Sequence, residues 1–251
     1  MKNNASVFLE KLMQAYYSGV LGPHLHEKFK LPKNAKTKEE KARYLFYSIS
    51  LDYGVRAEKL FKKMRNLHSD RKELFNPLFL SSMKKQSLVK LMQELRMRFP
   101  RQAAERWKRN SQKLIKGYDG RVLNVFKGDA DEILQKLREF YGFGDKLSRL
   151  LLRVMVERGI IKQPKGFERM SIPTDIHDVK LAYRAGLLRE EPDYSKHAKK
   201  VREAWTRLSL ERGFLPADVD RALWVLGAEW CYKKRCDECP VKEECLKKER
   251  Q

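Results

Sequence analysis

A chain of 251 residues, with 42% hydrophobic and 35% charged side chains, can bury a substantial core as one large domain or two small lobes and needs no stapling. Its 55 Lys and Arg against 33 Asp and Glu leave a net charge of +22, a field that gathers polyanions and makes nucleic acid the natural partner; a surface charged for heat stability alone would balance its signs. Apolar runs such as "SRLLLRVMVERGII" are broken by charge, which excludes a bilayer-crossing segment, and "MKNNASVFLEKL" carries no secretory core, so a cytoplasmic, nucleoid-associated protein with reduced thiols is expected.

In chain order the signals are helical. Thr37 and Glu40 read as a capping box opening a helix whose Ala42, Leu45, Phe46, Ile49 and Tyr53 recur at helical spacing until Gly54. Residues 96–121, "RMRFPRQAAERWKRNSQKLIKGYDGR", carry nine basic and two acidic side chains interleaved with Phe99, Trp107 and Tyr118, the pattern of a phosphate-neutralising stripe. Asp129 can cap "ADEILQKLREFY", which Gly142 ends. Pro173 precedes "TDIHDVKLAYRAG", Ser195 can cap "KHAKKVREAWTRLSLERG", and Pro216 suits the first turn of "ADVDRALWVLGAEW". No stretch alternates convincingly at period two, so the predicted fold class is all-α, with short connections marked by Gly, Pro and Asp and no internal repeat.

Three segments carry chemistry. In "LREFYGFGDKLSRLLLRVM", Gly142 and Gly144 flank Phe143 between two helices, so the backbone can turn tightly with positive φ and leave amide N–H groups at a helix start open to a phosphate. In "SIPTDIHDVKLA", Asp175 stands at a helix start, where an N-cap is the plain structural role. The third segment, "CYKKRCDECPVKEEC", holds all four cysteines of the chain, Cys231, Cys236, Cys239 and Cys245, in fifteen residues. Reduced thiols so grouped point to a metal site rather than disulfides, and four thiolates can hold zinc or an iron–sulfur cluster.

In this order the three segments resemble the helix-hairpin-helix DNA glycosylases of the endonuclease III type. Their hairpin motif reads approximately LPGVGxKTA, and "FYGFGDKLS" matches it at both glycines and at Lys146; their aspartate motif reads approximately VDTH, and "TDIH" matches at Asp175 and His177. They end in a C-x6-C-x2-C-x5-C loop holding a [4Fe–4S] cluster, and this chain has C-x4-C-x2-C-x5-C, two residues shorter in the first interval. The helix "LFYSISLDYGVRAEKLFKKM" also resembles their early helix, so the likeness runs from about residue 39 to 245. Lys146 and Asp175 stand 29 residues apart, with "RGIIKQPKGFERM" as the extra segment; this longer spacing is similar to that of archaeal 8-oxoguanine glycosylases of related fold, which lack the cluster.

The resemblance implies two helical lobes with a DNA cleft between them: 39–168 with the hairpin and Lys146, and 1–38 plus 169–251 with the cysteine loop, placing Asp175 across the cleft from Lys146. It further implies excision of a damaged or mismatched base from double-stranded DNA by a monomer, with Lys146 as Schiff-base nucleophile of a bifunctional glycosylase and AP lyase and Asp175 balancing the charge developing at C1′. A monofunctional glycosylase and a non-catalytic damage sensor remain open. Expected DNA contacts are Gly142, Phe143, Gly144, His177, Lys233, Lys234 and Arg235, with helix packing as the alternative for His177. Tyr53 is a candidate for filling the vacated stack. The cysteines are expected to hold [4Fe–4S], with zinc as the alternative, since zinc ribbons usually present two C-x2-C pairs and this chain has one.

Overall fold

The computed structural model describes residues 4–22, 29–53 and 57–246, and among them there are helices, turns and no strand. No helix among these residues is long and apolar enough to cross a membrane. The chain divides into two compact units, Met1–Leu25 with Glu168–Gln251 and His26–Phe167.

In the His26–Phe167 unit, the expected capping box opens the Lys38–Ile49 helix: Thr37 accepts the Glu40 N–H at 3.1 Å while the Glu40 carboxylate accepts the Thr37 N–H at 3.1 Å. The helix ends at Ile49 with Ser50 as its C-cap, ahead of the expected stop. Tyr53 therefore lies beyond the helix, and Gly54 lies outside the described residues. Asp129 caps Ala130–Arg138 as expected, accepting the Glu132 N–H at 2.9 Å. The core is largely aromatic. Tyr47 and Trp107 meet edge-on at 5.3 Å, Phe75 packs 5.6 Å from Trp107, and Phe46 touches both Phe140 at 5.1 Å and Phe143 at 5.0 Å.

Residues 29–38, assigned from sequence to the other lobe, belong to this unit. Phe29 packs edge-on against Phe61 at 4.9 Å, and Asn34 meets His68 through both its amide nitrogen and its amide oxygen. These contacts span more than thirty residues and leave no mark on local composition.

The other unit packs Phe8, Leu9, Leu12 and Met13 of the Asn4–Tyr17 helix against Val179, Trp205, Leu223 and Trp230. Its helices Ile176–Arg184, Tyr194–Glu211 and Pro216–Val225 contribute to this core, the last with Pro216 in its first turn as expected. The cap of Tyr194–Glu211 is Asp193, not Ser195. Asp193 Oδ1 accepts from the Ser195 N–H at 2.8 Å and the Ser195 hydroxyl at 2.6 Å, so the serine serves the cap from inside the first turn. After Val225 the chain continues as a π-helical turn, Leu226–Cys231, which carries it to the first cysteine.

Candidate functional site

The hairpin joins the Ala130–Arg138 helix to the Asp145–Glu157 helix. Only one of its glycines needs the left-handed region: Gly142 has φ +85°, whereas Gly144 is extended, with φ −85° and ψ −173°. A Cβ on Gly144 would meet nothing within 4 Å, and the helix that this glycine opens has no side-chain cap, the kind of helix start at which an anion can be received. A recess of about 580 Å³ beside the turn is lined by Arg109, Lys113, Arg138, Tyr141 and Gly142 among others. Asp145 pairs with Arg138 at 2.8 Å and Arg149 at 2.9 Å. Lys146 is half-buried in the first turn of the second helix.

Phe143, expected among the DNA contacts, is 3% exposed and lies 5.0 Å from Phe46 in a stacked arrangement, so it anchors the hairpin from below. The basic stripe also splits in two. Trp107 is fully buried and donates its indole N–H to the Tyr47 carbonyl at 3.1 Å, and Arg106 is buried beside it. Arg96, Arg98, Arg101, Arg109, Lys116 and Arg121 face solvent. Phe99 is exposed and stands 6.1 Å from the exposed Tyr53, with Arg98 over the Phe99 ring at 5.1 Å.

In the other unit, Asp175 is the N-cap of Ile176–Arg184. Its Oδ1 accepts the His177 N–H at 2.7 Å, and Asp178 Oδ2 accepts the Asp175 N–H at 2.6 Å, closing a capping box. His177 packs against the π-helical turn: a Cβ on Gly227 would stand 2.6 Å from the His177 Cβ, so no larger residue fits there without displacement.

None of the four cysteines forms a disulfide. Burial pushes the Cys231 thiol up to about 11 and raises that of Cys239; the neighbouring thiols add to the rise, and Arg184 opposes it. The thiols thus feel one another, yet no group of three or more His, Cys, Asp or Glu side chains among the described residues is brought together so as to hold a metal ion. The donor chemistry of the segment suits a thiolate-bound metal, while the clustered loop expected from the sequence is not formed. The cations of this loop are partly committed: Lys233 pairs with Glu229, and Arg235 lies 4.1 Å from the centre of the Trp230 ring and pairs with Glu238 at 2.8 Å. Lys234 is exposed, with φ +55°.

Two residues that the sequence reading passed over touch the hairpin directly, Arg106 and Asn110. Their signal was present: with Ala103, Trp107 and Leu114 they recur on the buried face of the Pro100–Tyr118 helix, polar residues at apolar positions.

The chain has the fold of the helix-hairpin-helix DNA glycosylases of the endonuclease III type. Among solved structures it is similar to endonuclease III in a trapped covalent intermediate with DNA, at TM-score 0.65 and 17% identity over 95% of each chain. It is similar to an 8-oxoguanine DNA glycosylase from Pyrobaculum aerophilum at TM-score 0.64 and 16% identity, covering 97% of this chain and 96% of the other. The 8-oxoguanine DNA glycosylase of Thermotoga maritima matches at TM-score 0.60 and 19% identity, covering 90% of this chain and 98% of that one. No protein-family model and no curated protein matches the sequence.

Proposed function

We propose that this protein is a base-excision DNA glycosylase with an associated AP lyase activity, acting as a cytoplasmic, nucleoid-associated monomer on duplex DNA that carries a damaged or mismatched base. The observation that carries the reading is Lys146 in the first turn of a helix whose start is uncapped and open at Gly144, on a fold shared with DNA glycosylases along nearly the whole chain. The uncapped helix start and the exposed cations around the recess hold the backbone, which offsets the cost of unstacking one nucleotide, a few kcal/mol. The Lys146 amine attacks C1′, the C1′–N bond breaks, and the base leaves with the bonding electrons and takes up a proton. The Asp175 carboxylate balances the positive charge that develops on the sugar ring meanwhile. The amine loses its proton, the ring opens to a Schiff base, and β-elimination then breaks the C3′–O bond.

Duplexes that each carry one defined lesion test the reading directly. Release of a base together with a nick that needs no alkali is the expected result for at least one of them. Base release with nicking only after alkali would leave a monofunctional glycosylase, and tight binding of every duplex without base release would leave a damage sensor.

Binding to undamaged duplex is expected to weaken linearly on a log–log plot as salt rises, because each neutralised phosphate releases counterions. Within the cysteine loop Lys234 is the cation expected to matter most, since Lys233 and Arg235 are held by Glu229, Trp230 and Glu238. Lys234→Gln should lower the salt slope by about one, and replacing all three cations should lower it little further. Equal contributions from the three would show that the ion pairs dissolve on DNA.

For the cysteines we propose that Cys231, Cys236, Cys239 and Cys245 together hold a [4Fe–4S] cluster. The four thiols, their confinement to one segment and the burial of Cys231 and Cys239, which favours charge compensation by a metal, support this. Bound there, the cluster would clamp the loop, and it takes no part in the steps above. Protein purified without oxygen should be brown and contain about four iron atoms per chain, as a cysteine-held cluster of this type requires. A colourless protein with one zinc would assign the segment to zinc instead.

A further inference from the structure

Among the polar side chains that the Pro100–Tyr118 helix buries, Arg106 and Asn110 stand one turn apart, at 9% and 1% exposure. Both are directed at the hairpin turn. The Asn110 amide accepts the Tyr141 N–H at 2.8 Å and donates to the Tyr141 carbonyl at 3.2 Å, so one side chain satisfies both backbone groups of a turn residue. Arg106 lies against the next residue. Its Nε and Cζ stand 2.6 and 2.9 Å from the point that a Cβ on Gly142 would occupy, so any larger residue there would displace Arg106 besides straining φ.

The same guanidinium reaches away from the hairpin. It donates to the Ser50 carbonyl at 2.8 Å, at the end of the Lys38–Ile49 helix, and stands 5.6 Å from the centre of the Tyr53 ring. Its Nε–H has no hydrogen-bond partner among the described residues. Filling a core needs none of this. A leucine and a methionine would occupy similar space without the desolvation penalty of an amide and a cation. The arrangement fits a backbone held in one conformation ahead of its ligand, so that the ordering cost is not charged against binding.

We propose that Arg106 and Asn110 are positioning residues that lock the Tyr141–Gly142 turn before DNA arrives, and that Arg106 holds this turn in register with the Tyr53 segment. The proposal rests on the reading of the hairpin as the element that grips the DNA backbone. Arg109 supports the lock from outside, its guanidinium 4.4 Å from the centre of the Tyr141 ring.

The test measures two quantities on the full chain: amide hydrogen exchange in the absence of DNA and affinity for undamaged duplex. In the wild-type protein the Tyr141 amide should be protected without DNA. Asn110→Leu should speed exchange across residues 140–144 while the Pro100–Tyr118 helix keeps its protection, and should weaken duplex binding about tenfold, as loss of a buried hydrogen-bonded pair allows. Arg106→Met should loosen the hairpin and the Tyr53 segment together, and Arg106→Lys, which can still reach the Ser50 carbonyl, should restore most of the affinity. A wild-type Tyr141 amide that exchanges like an open loop would overturn the proposal without any variant having to fold. So would folded variants that bind duplex as the wild type does. A wild-type protein that binds no duplex at all would sink the DNA reading of the hairpin instead, and the exchange data would still judge the lock.

Discussion

Lys146→Ala should abolish the covalent species that borohydride traps during reaction with damaged or abasic DNA. The trapped adduct is the reduced Schiff base between an amine and C1′, so its loss tests the amine itself rather than the fold around it. Nicking should fall by on the order of a thousandfold or more, the scale on which removal of an essential nucleophile is felt. Folding should survive: alanine is the best helix former, and the neighbouring Asp145 keeps Arg138 and Arg149 as partners. Affinity for undamaged duplex should change little, with the salt slope reduced by about one at most, because one cation is lost from a chain with 55 basic side chains. If the variant nicks as the wild type does, or if the adduct maps to another lysine, the assignment fails whatever the fold.

How far such an assignment can be read from sequence depends on the reach of the physics involved. Caps were legible because their chemistry closes within three residues: Thr37 with Glu40, Asp129 with Glu132, and Asp175 with its own helix start all stand where local pattern put them. Where two capping residues compete at close range, pattern alone fails. Asp193 displaces Ser195 because one carboxylate oxygen can accept the Ser195 N–H and the Ser195 hydroxyl at once.

The candidate site was legible in its residue types and less so in their roles. Counting charge over residues 96–121 could not say which side chains face water, and the helical period turns Trp107 and Arg106 inward while Arg101 and Arg109 face out. A glycine pair suggests two unusual backbone positions, yet only Gly142 adopts one; Gly144 is extended, with open space where a Cβ would stand. Phe143 reads as part of an exposed motif until the aromatic ring beneath it is known, and Phe46 lies almost a hundred residues earlier in the chain. Contacts of that reach also moved residues 29–38 from one unit to the other. For the cysteines, spacing specifies the donors and their chemistry, whereas the positions of the four sulfurs depend on a loop whose own backbone bonds are short turns such as Cys239 N–H to the Cys236 carbonyl.

Asp175→Asn is expected to separate chemistry from structure, because Asp175 caps a helix and the proposed reaction also asks for its charge. As an N-cap it needs only an acceptor for the His177 N–H, now 2.7 Å from Oδ1, and asparagine supplies one of the same shape. The reciprocal bond from the Asp175 N–H to Asp178 belongs to the backbone and is untouched by the substitution. The melting temperature should therefore stay within a few degrees, as the near-equivalence of Asn and Asp at N-caps predicts. Asp175→Ala, which loses the cap, should in contrast cost about 1 kcal/mol of stability. What asparagine cannot supply is negative charge opposite a sugar ring that becomes cationic as the base departs. Loss of one preorganised electrostatic group typically costs on the order of a hundredfold to a thousandfold in rate, and base release under single turnover should fall by that amount. Action on a pre-formed abasic site should fall much less, since no glycosidic bond remains to be broken, and borohydride trapping on that substrate should persist through Lys146. Equal losses on both substrates would mean that Asp175 serves proton transfer in the elimination as well, and an undiminished rate of base release would remove it from the reaction altogether.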